Sequence, residues 1–370
     1  MNIELNTLPL PKDSPEDKRL RLEEDLKLIT RSCHDEFKEI KAIILYGSYG
    51  RGEGSWIRRE SKWFPYNDYD IVVVVPKKIS KKRIALMRKQ LARKIDINWI
   101  DLSQKTPLRL RVMQKSIYAY DLKRASTVIW GDDKVTDIMP SIRASDLRSY
   151  EIVTLFFTRL WPFIGGIDRQ SFALGLNSEP SRFFRNQMAK AVLATVDVNL
   201  LMLNAYTPSY IERVDLSLKD YEPSEAEIVK WALSEKLEPQ GPIMSGKEVT
   251  EMYDRVHDLY SKIMLKGLSF HFGENIKDHL DIEKRYCKSR QLSMFKFLNV
   301  LMRTSSVYDK ETRINTFQTY LFFSYAGGNK FHSTIVDDLI KKIDELPGNH
   351  SAVDDWYSAA KLVSQIRNNI

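Results

Sequence analysis

The residues best suited to chemistry lie between positions 41 and 75. Asp68 and Asp70 stand one residue apart at the entrance to the apolar run 71–75. Side chains alternate faces along a strand, so the two carboxylates share a face. Two anions side by side at the mouth of a buried strand are costly unless something positive sits between them. A divalent metal is the usual remedy, and hard oxygen donors favour magnesium or manganese. Upstream, the apolar run Ala42–Tyr46 breaks at Gly47-Ser48. Glycine lets the backbone approach phosphates closely, and amides opening the next turn can donate to them.

A strand ending in Gly-Ser, followed by Asp-x-Asp opening the next strand, resembles the nucleotidyltransferase core of the polymerase beta superfamily. The resemblance implies that Gly47 and Ser48 hold a nucleotide's phosphates and that Asp68 and Asp70 bind two metal ions. It also implies a third carboxylate on a neighbouring strand. The stretch KIDINWIDL (94–102) offers Asp96 and Asp101. Asp96, one residue into the apolar run, is expected to reach the Asp68/Asp70 edge, so the predicted catalytic and metal-binding set is Asp68, Asp70 and Asp96. Asp101, at the far end, is the alternative and is otherwise expected to begin the next turn.

These residue types suit nucleotidyl transfer, an in-line displacement at the alpha phosphate in which pyrophosphate leaves. Two metals roughly 3.5–4 Å apart activate the attacking oxygen and neutralise the leaving one. Carboxylates on adjacent strands, about 4.8 Å apart, can hold such a pair. The separation between Ser48 and Asp68 is longer than the resemblance leads one to expect, and residues 54–66 read as an insertion. Either Trp56, Trp63, Phe64 and Tyr66 stack on a base or acceptor while Arg58 and Arg59 meet phosphate, or the segment is a locally packed surface loop. Arg51 is a candidate nucleotide ligand, with a salt bridge to Glu53 as the competing role.

Elements of alternating type must position these groups. The segment from Ser14 has a capping residue, a proline at the first helical position and early acids, with Leu20, Leu22, Leu26, Leu28 and Ile29 as its apolar stripe. The runs 42–46 and 71–75 read as strands, the second buried on both faces. Residues 80–94 read as a basic amphipathic helix, 95–102 as the third strand, 108–121 as a helix and 126–133 as a short strand with a turn. This order gives a small mixed sheet flanked by helices.

Beyond Pro140 the periods become helical: 144–163, stopped by Pro162 and Gly165-Gly166, then 181–205, 246–268, 275–303, 309–325, 334–346 and 352–368. A loosely ordered, proline-bearing stretch is expected to run to about Pro242. The fold class is therefore α+β: a catalytic domain over 1–140, then an all-helical, substrate-binding domain over 141–370. A helical partner of this kind is similar to the family's usual layout, in which it forms the other wall of the cleft. Lys190, on a helix rich in apolar residues, is a candidate partner for the leaving phosphates or else a snorkelling lysine at a bundle edge. Arg159 and Arg185 present the same choice. Tyr206 and Tyr210 either line the cleft or pack.

Composition narrows the classes. The chain has 370 residues, 43% hydrophobic and 29% charged, a composition typical of soluble domains too large for one core. No apolar run approaches a membrane span, so no membrane partner is expected. Cys33 and Cys287 lie far apart without clustered histidines, which argues against structural zinc and for a reducing, cytoplasmic compartment. The net charge of +8 suits anionic substrates. Its local knot, at Lys77, Lys78, Lys81, Lys82 and Arg83, reads as a solvated helix face, and nucleic acid is not indicated. The expected function is magnesium-dependent transfer of AMP from ATP to a small-molecule or protein hydroxyl. The alternative is a nucleotide-binding or partner-binding module without chemistry, including one half of a toxin–antitoxin-type pair.

Overall fold

A computed structural model describes residues 4–11, 14–165, 167–293, 305–344, 353 and 355–368, the side chains of 287–293, 305–311 and 366–368 excepted. The helix expected over 275–303 falls partly outside these residues, as does the Cys287 side chain. The fold is mixed α+β. The chain divides into two compact units: residues 1–148 with 204–216 and 233–240, and residues 149–203 with 217–232 and 241–370. The boundary expected at 140 thus lies at 148, and two later segments group with the sheet.

In the first unit, α1 (Glu16–Glu36) precedes β1 (Ala42–Tyr46), the single turn α2 (Gly47–Gly50) and the hairpin β2 (Trp56–Arg59)–β3 (Lys62–Pro65). There follow β4 (Tyr69–Val74), α3 (Lys81–Ile95), β5 (Ile100–Lys105), α4 (Pro107–Arg111), α5 (Ile117–Arg124) and β6 (Thr127–Gly131). The sheet order is β5-β4-β1-β6, with β4–β5 parallel and the other pairs antiparallel. One face of this sheet packs on α1 and α3, and Ile44, Val72 and Val74 are buried on the other. Ile43, Leu45, Ile71, Val73, Ile100 and Leu102 bury against Leu22, Leu26 and Ile29 of α1 and Ile84, Met87, Leu91 and Ile95 of α3. The helical contributors recur at three- and four-residue intervals, the spacing that puts them on one stripe.

Two expectations fail here. The third strand starts at Ile100, not at residue 95, because Ile95 completes the apolar stripe of α3 and is buried. Asp96 caps that helix in the left-handed conformation (φ 60°), and Ile97 N donates to Ala92 O at 3.0 Å. Short polar side chains tolerate this conformation at helix ends, whereas β-branched residues do not. The helix expected over 108–121 is instead two, α4 and α5, each opened by a capping hydroxyl, from Thr106 and Ser116.

The second unit holds α6 (Tyr150–Ile164), α7 (Arg169–Leu174), α8 (Ser178–Met202), α11 (Gly246–Phe272), α12 (His279–Ser293), α13 (Ser305–Phe323), α14 (Ser333–Asp344) and α15 (Trp356–Asn368), with a small hairpin β7 (Tyr325–Gly327)–β8 (Lys330–Phe331). That hairpin departs from an all-helical half. Pro162 lies inside α6, which ends at Gly165. Gly267 lets α11 approach closely: a methyl group there would lie 2.5 Å from Val198 and 2.9 Å from Ile152. The stretch expected to be loose contains α9 (Tyr210–Ser217) and α10 (Pro223–Leu237). No helix among the described residues is long and apolar enough to cross a membrane.

Because a left-handed non-glycine residue carries strain of about 1 kcal/mol, Asp96→Gly is expected to hold or raise the melting temperature. It should leave any transferase activity unchanged. Differential scanning calorimetry beside a pyrophosphate-release assay checks both, and loss of activity would restore Asp96 to the site.

Candidate functional site

The site is a row across three strands. The pairing of β1 with β4 sets Tyr46 opposite Asp70, and that of β4 with β5 sets Asp70 opposite Asp101. The three residues therefore lie side by side on the face opposite the core, with Asp68 two residues earlier on the same side as Asp70. Asp101, not Asp96, is the acid that the register brings to Asp70. Asp96 is largely exposed at the end of α3, where it faces Arg59 at 4.0 Å. The sequence held a usable signal: counting in-register from Asp70 along a strand that begins at Ile100 selects Asp101.

Asp101 is not free of partners. Its Oδ1 lies 3.1 Å from Arg88 Nη2, and its Oδ2 accepts from Tyr46 Oη at 3.2 Å. Tyr118 packs edge-on to Tyr46, with ring centroids 5.4 Å apart. Burial, followed by the charges of Asp68 and Asp101, pushes Asp70 up to about 8, while Lys236 and Arg51 pull it down. Burial, with Asp101 and Asp70 nearby, also pushes the Tyr118 phenol up to about 12.

Gly47 explains how the turn sits against this row. Its φ is +64°, and a methyl group there would lie 2.0 Å from Asp70 Oδ2. Only glycine satisfies both conditions. Ser48 is buried in the following turn, and its carbonyl accepts from Glu53 N at 2.8 Å.

Arg51 is buried and paired with Glu53 (3.0 Å) and Asp121 (3.7 Å), the competing role foreseen for it. Glu53 in turn accepts from Ser209 Oγ at 2.6 Å and from Tyr210 N at 2.9 Å. It thereby caps the start of α9, which the sequence pattern concealed. The Tyr210 ring sits among three cations: Arg51 at 4.6 Å, Arg213 at 4.4 Å and Lys236 at 5.6 Å. Arg213 and Lys236 are buried. Lys236 Nζ donates to Ser55 Oγ at 3.1 Å, and Asn67 Nδ2 donates to the same oxygen at 2.7 Å. Sequence reasoning missed Lys236 and Arg213, since nothing local marks a lysine at the end of α10 as a neighbour of Asp70.

A scan against family models finds no match, and no curated protein matches the chain. One solved structure similar to it is that of spectinomycin adenyltransferase AAD(9) from Enterococcus faecialis, with ATP and spectinomycin. Identity is 12%, the likeness covers 66% of this chain and 98% of that one, and the TM-score is 0.41.

The remaining candidates fall elsewhere. The 54–66 insertion is the β2–β3 hairpin, turning through Glu60 and Ser61 in left-handed conformations. It lies on α1: Lys18 sits over Trp56 and Trp63, at 5.2 and 4.9 Å, and Arg21 over Phe64 at 5.1 Å. Trp56 is buried. Lys190, Arg159 and Arg185 belong to the helical unit, where Lys190 is half-buried on α8. That unit has a cavity of about 450 Å³, lined by Arg185, Trp231, Met244, Met252 and Arg255 among others, but by neither Lys190 nor Arg159. Tyr206 donates to Asp121 at 3.2 Å. Cys33 is buried in the core.

The donor chemistry at the row suits a hard divalent cation: oxygen ligands, with a carboxyl whose proton affinity is raised by burial and then by its acidic neighbours. The side chains do not converge as a finished cage. Among the described residues, no three His, Cys, Asp or Glu groups are placed to hold a metal. Asp101 instead faces Arg88 and Tyr46.

The raised proton affinities fix a direction for stability. Burial pushes Asp25 up to about 6, and Asp70 lies near 8. Both exceed the ordinary carboxyl value, so the folded chain binds these protons more tightly than the unfolded one. Their contribution is fully present below about pH 4 and is lost as pH rises through 6 and then 8. Asp70→Asn should therefore raise the melting temperature of the ligand-free protein at pH 8 by roughly a few degrees. A melting temperature unchanged between pH 5 and pH 8 in the parent and the variant would contradict this.

Proposed function

We propose that the chain transfers a nucleotidyl group, AMP from ATP, to the hydroxyl of a small molecule or protein, with magnesium or manganese as cofactor. The observation that carries the reading is the register-paired Asp70 and Asp101, with Asp68 beside them and the Gly47 backbone pressed against Asp70. A divalent ion held by Asp68, Asp70 and Asp101 would stabilise charge on the transferring phosphoryl group and the departing pyrophosphate.

The protein's own groups do the rest. The Gly47-Ser48 turn admits the phosphate chain close to the backbone. Lys236, near Asp70 and buried, offsets the negative charge that a triphosphate brings. Asp101 takes the acceptor's proton once Arg88 releases it. The acceptor oxygen then bonds to the alpha phosphorus as the bond to the bridging oxygen breaks and pyrophosphate leaves. Tyr46 holds Asp101 in line, and the Arg51–Glu53–Tyr210 cluster holds Lys236 and α9 against the sheet.

One observation favours a second reading, nucleotide binding without transfer: Asp101 is occupied by Arg88, and the acids form no closed cage. The two readings separate in one experiment. Asp70→Asn and Asp101→Asn should each lower pyrophosphate release by at least about 100-fold while leaving the far-ultraviolet spectrum intact. Lys236→Met should raise the KM for ATP. Magnesium with ATP should raise the melting temperature of the parent protein, and chelation should remove that rise. Binding of ATP without pyrophosphate release, under any acceptor tried, would favour the second reading.

A further inference from the structure

Cations from two stretches of sequence meet at the end of the sheet away from the acids. Pro76 leads from β4 into Lys77 and Lys78, and Lys81 and Lys82 open α3. Lys105 ends β5, and α4 then carries Arg109 and Arg111. The parallel pairing sets Val74 opposite Lys105, and Val75 N donates to Lys105 O at 2.9 Å. Gln104 fixes the intervening loop, accepting from Ile79 N at 2.9 Å and donating to Ile79 O at 2.6 Å. The basic knot is therefore not an isolated helix face. It is half of a patch whose other half lies some 25 residues further along the chain.

Among the described residues, none of these seven side chains forms an ion pair. Burial, with the charges of Lys78 and Arg109 close by, holds the Lys105 ammonium below its usual value. Lys81 and Lys82 stand at a helix N-terminus, where the helix dipole opposes positive charge. Lysine on an edge strand deters unwanted strand pairing, but only Lys105 is on the strand. The cluster gathers like charges without ion-pair partners among the described residues, and a bound polyanion would relieve their repulsion.

The surface also has a ring. Lys105 Nζ lies 5.5 Å from the Tyr118 ring, and Tyr118 is half-buried. Asp101, Ser103 and Lys105 share a face of β5, so the patch begins about 13 Å along the strand from Asp101. We propose that this surface binds the phosphate backbone of a single-stranded polynucleotide, with Tyr118 as a stacking platform. A lipid surface fits less well, because the apolar contribution is only the exposed Leu108 and Val112 beside a single-turn helix. An acidic peptide would make no use of the ring. The inference stands whether or not the chain transfers nucleotides.

Fluorescence anisotropy tests it with the full chain and a labelled single-stranded oligonucleotide of mixed sequence. Duplex of the same sequence, phosphatidylserine vesicles and polyglutamate serve as competitors. Affinity should fall with salt, and Lys78→Gln/Arg109→Gln should weaken binding at least about tenfold. The same variant should make the log–log salt slope shallower by about 1.4, which is 0.7 for each lost phosphate contact. Both side chains are exposed, so the melting temperature should be unchanged. Three results would overturn the proposal: no binding at low salt, a variant that binds like the parent, or vesicles or polyglutamate that compete as well as single strand.

Discussion

Like charges forced into one row by strand register are the constraint on which the first unit depends. A carboxylate at Asp70 has Asp101 beside it across the ladder and Asp68 beside it along the strand, and moving either would mean slipping the sheet. Such a slip would turn Asp70 or Asp101 toward α1 and α3, and on β5 would turn Ile100 and Leu102 out of the core, because strand faces alternate with every residue. The core therefore enforces the repulsion. Around the row the chain sets a compensating arc of cations: Arg88 on one side, with Arg51 and Lys236 on the other. Burial first, and then the charges of Asp68 and Asp101, leave Asp70 with a raised proton affinity that Lys236 and Arg51 reduce without cancelling.

The arc also explains why two segments from later in the sequence group with the sheet. Residues 204–216 supply Tyr206, Tyr210 and Arg213, and residues 233–240 supply Lys236. Glu53 is the centre of that attachment. It pairs with Arg51, caps the start of α9 through Tyr210 N, and accepts from Ser209. A buried carboxylate with that many partners is costly to disturb, since removing one partner leaves charge uncompensated.

Much of this was legible in the residues. The two apolar strands, the Gly47-Ser48 break and the paired Asp68 and Asp70 announce themselves because strand periodicity and turn chemistry are local. Asp96 misled for an equally local reason. Ile95, Ile97 and Ile100 look like one strand, and only the helical spacing of Leu91 to Ile95 reveals that α3 runs on and that Asp96 is its cap. Lys236 was illegible for the opposite reason: its role comes from a contact with Ser55, which lies 181 positions away. The helices over 210–237 were hidden by prolines at 208 and 223, which read as loop punctuation. Pro223 instead opens α10, a place where its missing amide costs nothing.

The return of those two segments bears on how modular the molecule is. A fragment ending at Arg148 would retain every acid of the row yet lose Ser209, Tyr210 and Lys236. Glu53 would then keep Arg51 but lose the amide and hydroxyl it caps, and Ser55 would lose the ammonium that contacts it. The sheet and the helical half therefore cannot be exchanged as beads on a string. Any recombination that swaps the helices must carry residues 204–216 and 233–240 along with the strands they serve.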